Sequence, residues 1–147
     1  MKLNTGKIAF PIEFDNGDKQ NIYFNPNDPD LAIRMKDFLG KVEARTKDLE
    51  DLKLGSDGTP EDPKDPEVIE RFRDIRNIIC EELNTAFNSE ISAVVFKHCS
   101  PFAVVDGDYF IMQFIEAIKP EIEKHIQKAN AEVEQNMQKH IANYIKK

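Results

Sequence analysis

Few side chains in this sequence could do chemistry. There are three histidines and two cysteines, and one pair, His98-Cys99, is adjacent. A zinc site needs three or four such ligands at set spacing, and no second Cys-x-x-Cys or His-x-x-x-His completes one. A thiol nucleophile needs a base held against it and a group orienting that base, which adjacency alone does not supply. Cys80 and Cys99 therefore read as free buried thiols. His125 has Glu121 one turn before it and Ala129 one turn after, and His140 has Asn136 before it. Neither completes a ligand set, and both read as solvated helix positions. Asp57, Glu61, Asp62 and Asp65 supply carboxylates without the spacing of a calcium loop. No G-x-S-x-G, G-x-G-x-x-G or G-x-x-x-x-G-K motif occurs. The residues point to a non-enzymatic protein that needs no cofactor and no metal.

Charge narrows the partners. Twenty-seven acids against twenty Lys and Arg leave a net charge of −7. That argues against nucleic acid and anionic membranes, both of which need clustered cations to neutralise phosphates. The one basic excess is modest: Lys119 to Lys147 holds six Lys against four Glu. Residues 47–70 hold nine acids against three Lys, which reads as a solvated linker. The longest apolar run is four residues, too short to cross a bilayer. Met1 to Lys7 lacks the apolar stretch of a signal peptide. The expectation is a soluble, cytoplasmic protein.

A chain of 147 residues bounds the fold to a single domain over 1–147. The expected class is mainly α (α+β), an N-terminal antiparallel β-hairpin followed by a helical bundle with a long C-terminal helix. In the hairpin, 7–24, Ile8, Phe10, Ile12 and Phe14 alternate with polar or small residues. A two-residue Asn16-Gly17 loop would turn Ile22 and Phe24 to the wrong face. A three-residue loop, Asp15-Asn16-Gly17 with Gly17 left-handed, pairs Phe10 with Ile22 and Ile8 with Phe24. It also sets Glu13 opposite Lys19 as a cross-strand ion pair. Pro11, without an N–H, marks an edge strand or a bulge.

Asp28-Pro29 and Asp65-Pro66 are helix starts, an N-cap followed by proline in the first turn. The first helix spans about 29–54, with Leu31, Met35, Phe38, Val42, Leu49 and Leu52 on one stripe. Residues 55–66 read as a mobile acidic loop. A helix over about 67–88 carries a wide stripe, Val68, Phe72, Ile75, Ile79, Leu83 and Phe87, joined by Ile69, Ile78 and Ala86, and reads as the central helix. Ser89 is expected to cap a short helix over 90–98. Phe102 to Asp108 reads as an extended turn, and a last helix covers about 107–145, kinked or broken near Pro120. Its second half carries Ile122, Ile126, Val133, Met137, Ile141 and Ile145. At on the order of 40 Å, that half is longer than the ~30 Å diameter of a domain this size, so part of it overhangs. Before Val133 the stripe is expected to pack on its own domain or on a second copy. From Val133 on, packing on its own domain stays open beside partner binding, for which Val133, Met137, Ile141, Tyr144 and Ile145 are the candidate residues.

The stretch Ser100-Pro101-Phe102-Ala103-Val104-Val105-Asp106-Gly107-Asp108-Tyr109-Phe110, followed by Phe114 to Pro120, resembles the tail assembly chaperones of long-tailed phages and prophages of Gram-positive bacteria. The order of elements follows the same pattern over most of the chain; the long first helix and its acidic loop depart from it. The resemblance implies a non-enzymatic protein that coats the tape measure protein, a long helical client, until tail-tube subunits polymerise around it. It also implies action in the cytoplasm of the bacterial host and absence from the mature virion. A homo-oligomer, a small phage protein that inhibits a host protein, and a structural tail or junction subunit are alternatives the residues leave open.

Overall fold

The computed structural model describes residues 1–54 and 64–145, apart from the side chains of residues 53, 54, 144 and 145. The elements are β1 (Ile8–Glu13), β2 (Lys19–Phe24), α1 (Pro29–Leu54), α2 (Pro66–Phe87), α3 (Ser92–Val95), β3 (Val104–Val105), β4 (Asp108–Tyr109) and α4 (Phe110–Ile145). The chain is mainly helical, with an N-terminal antiparallel hairpin and a long final helix, as expected. Of the acidic loop expected over 55–66, residues 55–63 lie outside the described residues, and α2 already begins at Pro66.

The hairpin register follows from the loop. Phe10 pairs with Ile22, Ile8 with Phe24 and Glu13 with Lys19. The loop closes through Phe14 N–H to the Asp18 carbonyl, 2.9 Å, and Gly17 N–H to the Phe14 carbonyl, 2.9 Å. Gly17 has φ 87°, a conformation a Cβ would strain. Phe10, Ile22 and Phe24 are thereby buried on one face. Glu13 and Lys19 face each other but form no ion pair among the described residues. Both are exposed, where a pair gains little over hydration.

Both helix starts use their aspartates. Asp28 Oδ1 accepts the Asp30 N–H at 3.0 Å and Asp65 Oδ1 accepts the Glu67 N–H at 2.9 Å, each satisfying one of the free donors of a first turn. α1 and α2 pack together. Arg34 of α1 donates from Nε to the Ala86 carbonyl at 2.8 Å and ion-pairs with Asp28 at 3.2 Å. A cation thus meets the open carbonyls at the end of α2. Asn88, at φ 50°, ends that helix in the left-handed conformation.

Among the later elements two expectations need correction and a third is narrowed. The short helix is only α3, four residues long, and Ser89 does not cap it. Asn84 Oδ1 accepts the Ser92 N–H at 2.8 Å instead. Residues 102–108 are no simple extended turn: Val104-Val105 pairs with Asp108-Tyr109 around Asp106 (φ 52°) and Gly107 (φ 85°). Two consecutive positive φ values make a two-residue primed turn, the connection that suits the twist of a hairpin. This delays the start of the last helix to Phe110. Finally, α4 does not break at Pro120. Pro120 and Glu116 both lie on the exposed side, so the Glu116 carbonyl, deprived of its N–H partner, can turn to water.

An aromatic chain ties the elements together. The Phe10 and Phe24 rings stack at 4.3 Å between centroids, Phe24 meets Phe87 edge-on at 4.9 Å, and Phe87 meets Phe114 at 5.8 Å. Hairpin, α2 and α4 thus share one core, which also takes in Leu31, Phe38, Val42 and Leu49 of α1. α2 buries Ile79, Leu83, Ala86 and Phe87, but Ile69 is left exposed on it. No helix among the described residues is long and apolar enough to cross a membrane.

Candidate functional site: the uncovered arm of the last helix

α4 has 36 residues and is about 54 Å long. Its first third is a core element: Ile111, Phe114, Ile115 and Ile118 are buried, and Ile122 packs against their cluster. From 131 to 143 every residue is exposed. Val133, Met137 and Ile141 are 56%, 58% and 55% exposed. The sequence-derived stripe therefore stands as an arm that nothing among the described residues covers. Tyr144 and Ile145 belong to the helix, but their side chains lie outside the described residues.

The arm begins at an open groove. Ile122, Ile126 and Asn130 of α4 face Leu31, Ala32, Met35 and Leu39 of α1 across a space of ≈ 370 Å³ that Pro26 also lines. Ile126, 38% exposed, joins the groove to the stripe. From Ile122 the spacing runs Ile126, Asn130, Val133, Met137, Ile141, steps of four, four, three, four and four. An eleven-residue repeat has about 3.67 residues per turn, close to that of a straight helix, so the stripe stays on one face. Nothing in the sequence signalled the α1 wall of this groove, because it depends on where two distant segments meet.

The residues with chemistry gather elsewhere, at the hairpin tip. His98 Nε2 donates to Asp18 Oδ2 at 2.7 Å, Lys97 Nζ lies 3.0 Å from the same oxygen, and Gln20 Nε2 donates to Asp18 at 3.1 Å. The His98 and Lys97 hydrogen bonds hold the Asp18 carboxyl well below the usual carboxylate range. The His98 ring also stands edge-on to Phe14 at 4.8 Å. The arrangement clips the tip to the segment after α3 and commits His98 to a structural partner. Sequence reasoning missed it because its members are eighty residues apart.

Cys99 lines a second groove, ≈ 690 Å³, between β1 and α4, with Phe10, Ile12, Phe14, Phe110 and Phe114 as its apolar wall. Burial, and to a lesser degree the charge of Asp15, push its thiol up. A thiol shifted that way is protonated at neutral pH and a poor nucleophile. Burial likewise pushes up Cys80. Both thiols are free and half-buried. His125 is no solvated position: its ring packs edge-on to Phe10 at 5.2 Å. His140 is exposed on the arm. Among the described residues no three metal-ligating side chains converge.

No known family, curated protein or solved structure matches the chain.

Proposed function

We propose that this protein is a non-enzymatic assembly chaperone that holds a helical client through the uncovered face of α4. The observation that carries the reading is the arm itself, with Val133, Met137 and Ile141 each more than half exposed on one face. A stable chain gains nothing from leaving such a stripe in water, and an uncovered apolar surface is a common mark of a docking site. An amphipathic helix laid against it would bury both stripes together.

The resemblance of residues 100–120 to phage tail assembly chaperones names the client as the tape measure protein. That segment comprises the β3–β4 turn and the buried start of α4, the part of the helix from which the arm is held. In this reading the chaperone works in the cytoplasm of the bacterial host and leaves before the virion is complete. The net charge of −7 keeps the complex soluble.

The test is co-expression with a tape measure protein and co-purification. The wild type is expected to capture and solubilise it, and Val133→Asp combined with Ile141→Asp to lose it while retaining the wild-type melting transition. Loss of folding in the double variant would place the arm in the core. Presence of the protein in finished particles would favour a structural subunit, and capture of a host protein without tail genes would favour an inhibitor.

A further inference from the structure

We propose that the partner of this face is an amphipathic helix whose own apolar stripe is edged by lysine or arginine, and not a second copy of this chain. The inference rests on reading the stripe as a binding face, and it specifies what the stripe accepts.

The charges of α4 are sorted around the helix. Successive residues turn by about 100°, so eleven residues return to within about 20° of the same direction. Glu123 and Glu134 are eleven apart and border the stripe on one side, next to Ile126, Asn130 and Ile141. The other border holds Ala129, Asn136 and His140. Lys124, Lys128 and Lys139, with Glu121 and Glu132, lie on the back, more than about 120° from the midline of the stripe. Within 122–143 the only carboxylates or ammonium groups beside the apolar face are therefore Glu123 and Glu134. Both are exposed, and neither forms an ion pair among the described residues.

The groove at the root of the arm has the same character. Its charged lining is Asp28, Lys119 and Glu123. Asp28 is held by Arg34 at 3.2 Å and Lys119 lies 3.6 Å from Glu116, which leaves Glu123 as the charge without a counter-ion. An incoming helix thus meets one acidic edge running from the groove to the arm. Lysine or arginine along its facing edge complements that row, and acidic residues there are repelled. A second copy laid arm to arm does not supply the cations from its described residues: Lys124, Lys128 and Lys139 are on the back of α4, and Lys119 sits in the groove beside Glu116. Laid antiparallel, it would bring acidic edge to acidic edge.

Two synthetic helices test this by fluorescence anisotropy against the full-length protein. Both carry the same apolar stripe at steps of four, four and three; one has Lys along one edge, the other Glu. The Lys-edged helix is expected to bind roughly tenfold more tightly at low salt, a preference that shrinks as salt rises. Glu123→Lys with Glu134→Lys is expected to reverse it. Equal binding of both helices, or a preference unchanged by the reversal, overturns the inference and leaves the binding face standing. Binding of neither helix overturns the inference together with the functional reading. Sedimentation of the free chain is expected to show a monomer, and a dimer dispersed by Val133→Asp would also overturn the inference.

Discussion

Val133 stands eighteen residues after Ile115 on α4, about five turns further along the same face, yet Ile115 is fully buried and Val133 is 56% exposed. One helix face thus lies in two environments. Near Ile115 it closes the core against the hairpin and α2. Near Val133, about 27 Å further on, the body has ended and the same face is bare.

This contrast predicts unequal costs for similar truncations. Ile115→Ala removes side-chain volume from a packed site and is expected to destabilise the protein by about 2–5 kcal/mol. Val133→Ala changes an exposed site and is expected to alter stability by less than about 0.5 kcal/mol. Urea unfolding of both variants checks the pair. A large cost at Val133 would mean that the arm is covered in the free protein.

The hairpin tip predicts a specific response to acid. Asp18 has its carboxyl held below the usual range by His98 and Lys97. A proton therefore binds the unfolded chain more readily than the folded one, and the contribution is present at neutral pH. It fades as pH falls below about 4, towards the depressed folded value. Asp18→Asn is expected to melt lower than wild type at pH 7, with the gap closing as pH drops towards 2. A gap of constant size across that range would show that the charge of Asp18 contributes nothing.

Gly40 lies within α1, exposed, and a Cβ built there meets no atom within 4 Å. Glycine in a helix interior gives up more conformational freedom on folding than alanine does. Gly40→Ala is expected to stabilise the protein by about 0.5–1 kcal/mol, seen as a rise in melting temperature of roughly 2–4 °C. A lower melting temperature would mean that α1 needs this glycine for a bend or a contact.

Local signals carried far in this chain, and most of what they leave out is tertiary. The three-residue loop at Asp15-Asn16-Gly17 settled the β1–β2 register because a slip by one residue turns Phe10 and Ile22 out of the core. Asp28-Pro29 and Asp65-Pro66 placed two helix starts, since capping is chemistry between near neighbours. Asp106-Gly107 is equally local: that dipeptide between short apolar or aromatic runs is a hairpin signal, which the reading of 102–108 as an extended turn leaves unused. Of the kink or break expected near Pro120, the break does not occur, because Pro120 and Glu116 lie on the exposed side where the freed carbonyl meets water. The link between Asp18 and His98, and the α1 wall of the groove, are set by the packing of distant segments and left no trace in spacing. The exposure of the arm was legible from length alone, because a helix longer than its domain must overhang. Whether a partner covers Val133 is not a property of this chain's own packing, and the proposal for it rests on the edge charges at Glu123 and Glu134.

The most direct measurement is amide hydrogen exchange across residues 131–143, with and without a co-expressed tape measure protein. In the free protein these amides are expected to exchange quickly while those around Ile115 stay protected, because only the latter are held by tertiary packing. In the complex the arm is expected to become protected over the whole span, centred on Val133, Met137 and Ile141. A complex that forms while the arm exchanges as fast as before would contradict the account, because the client would then be held by some other surface.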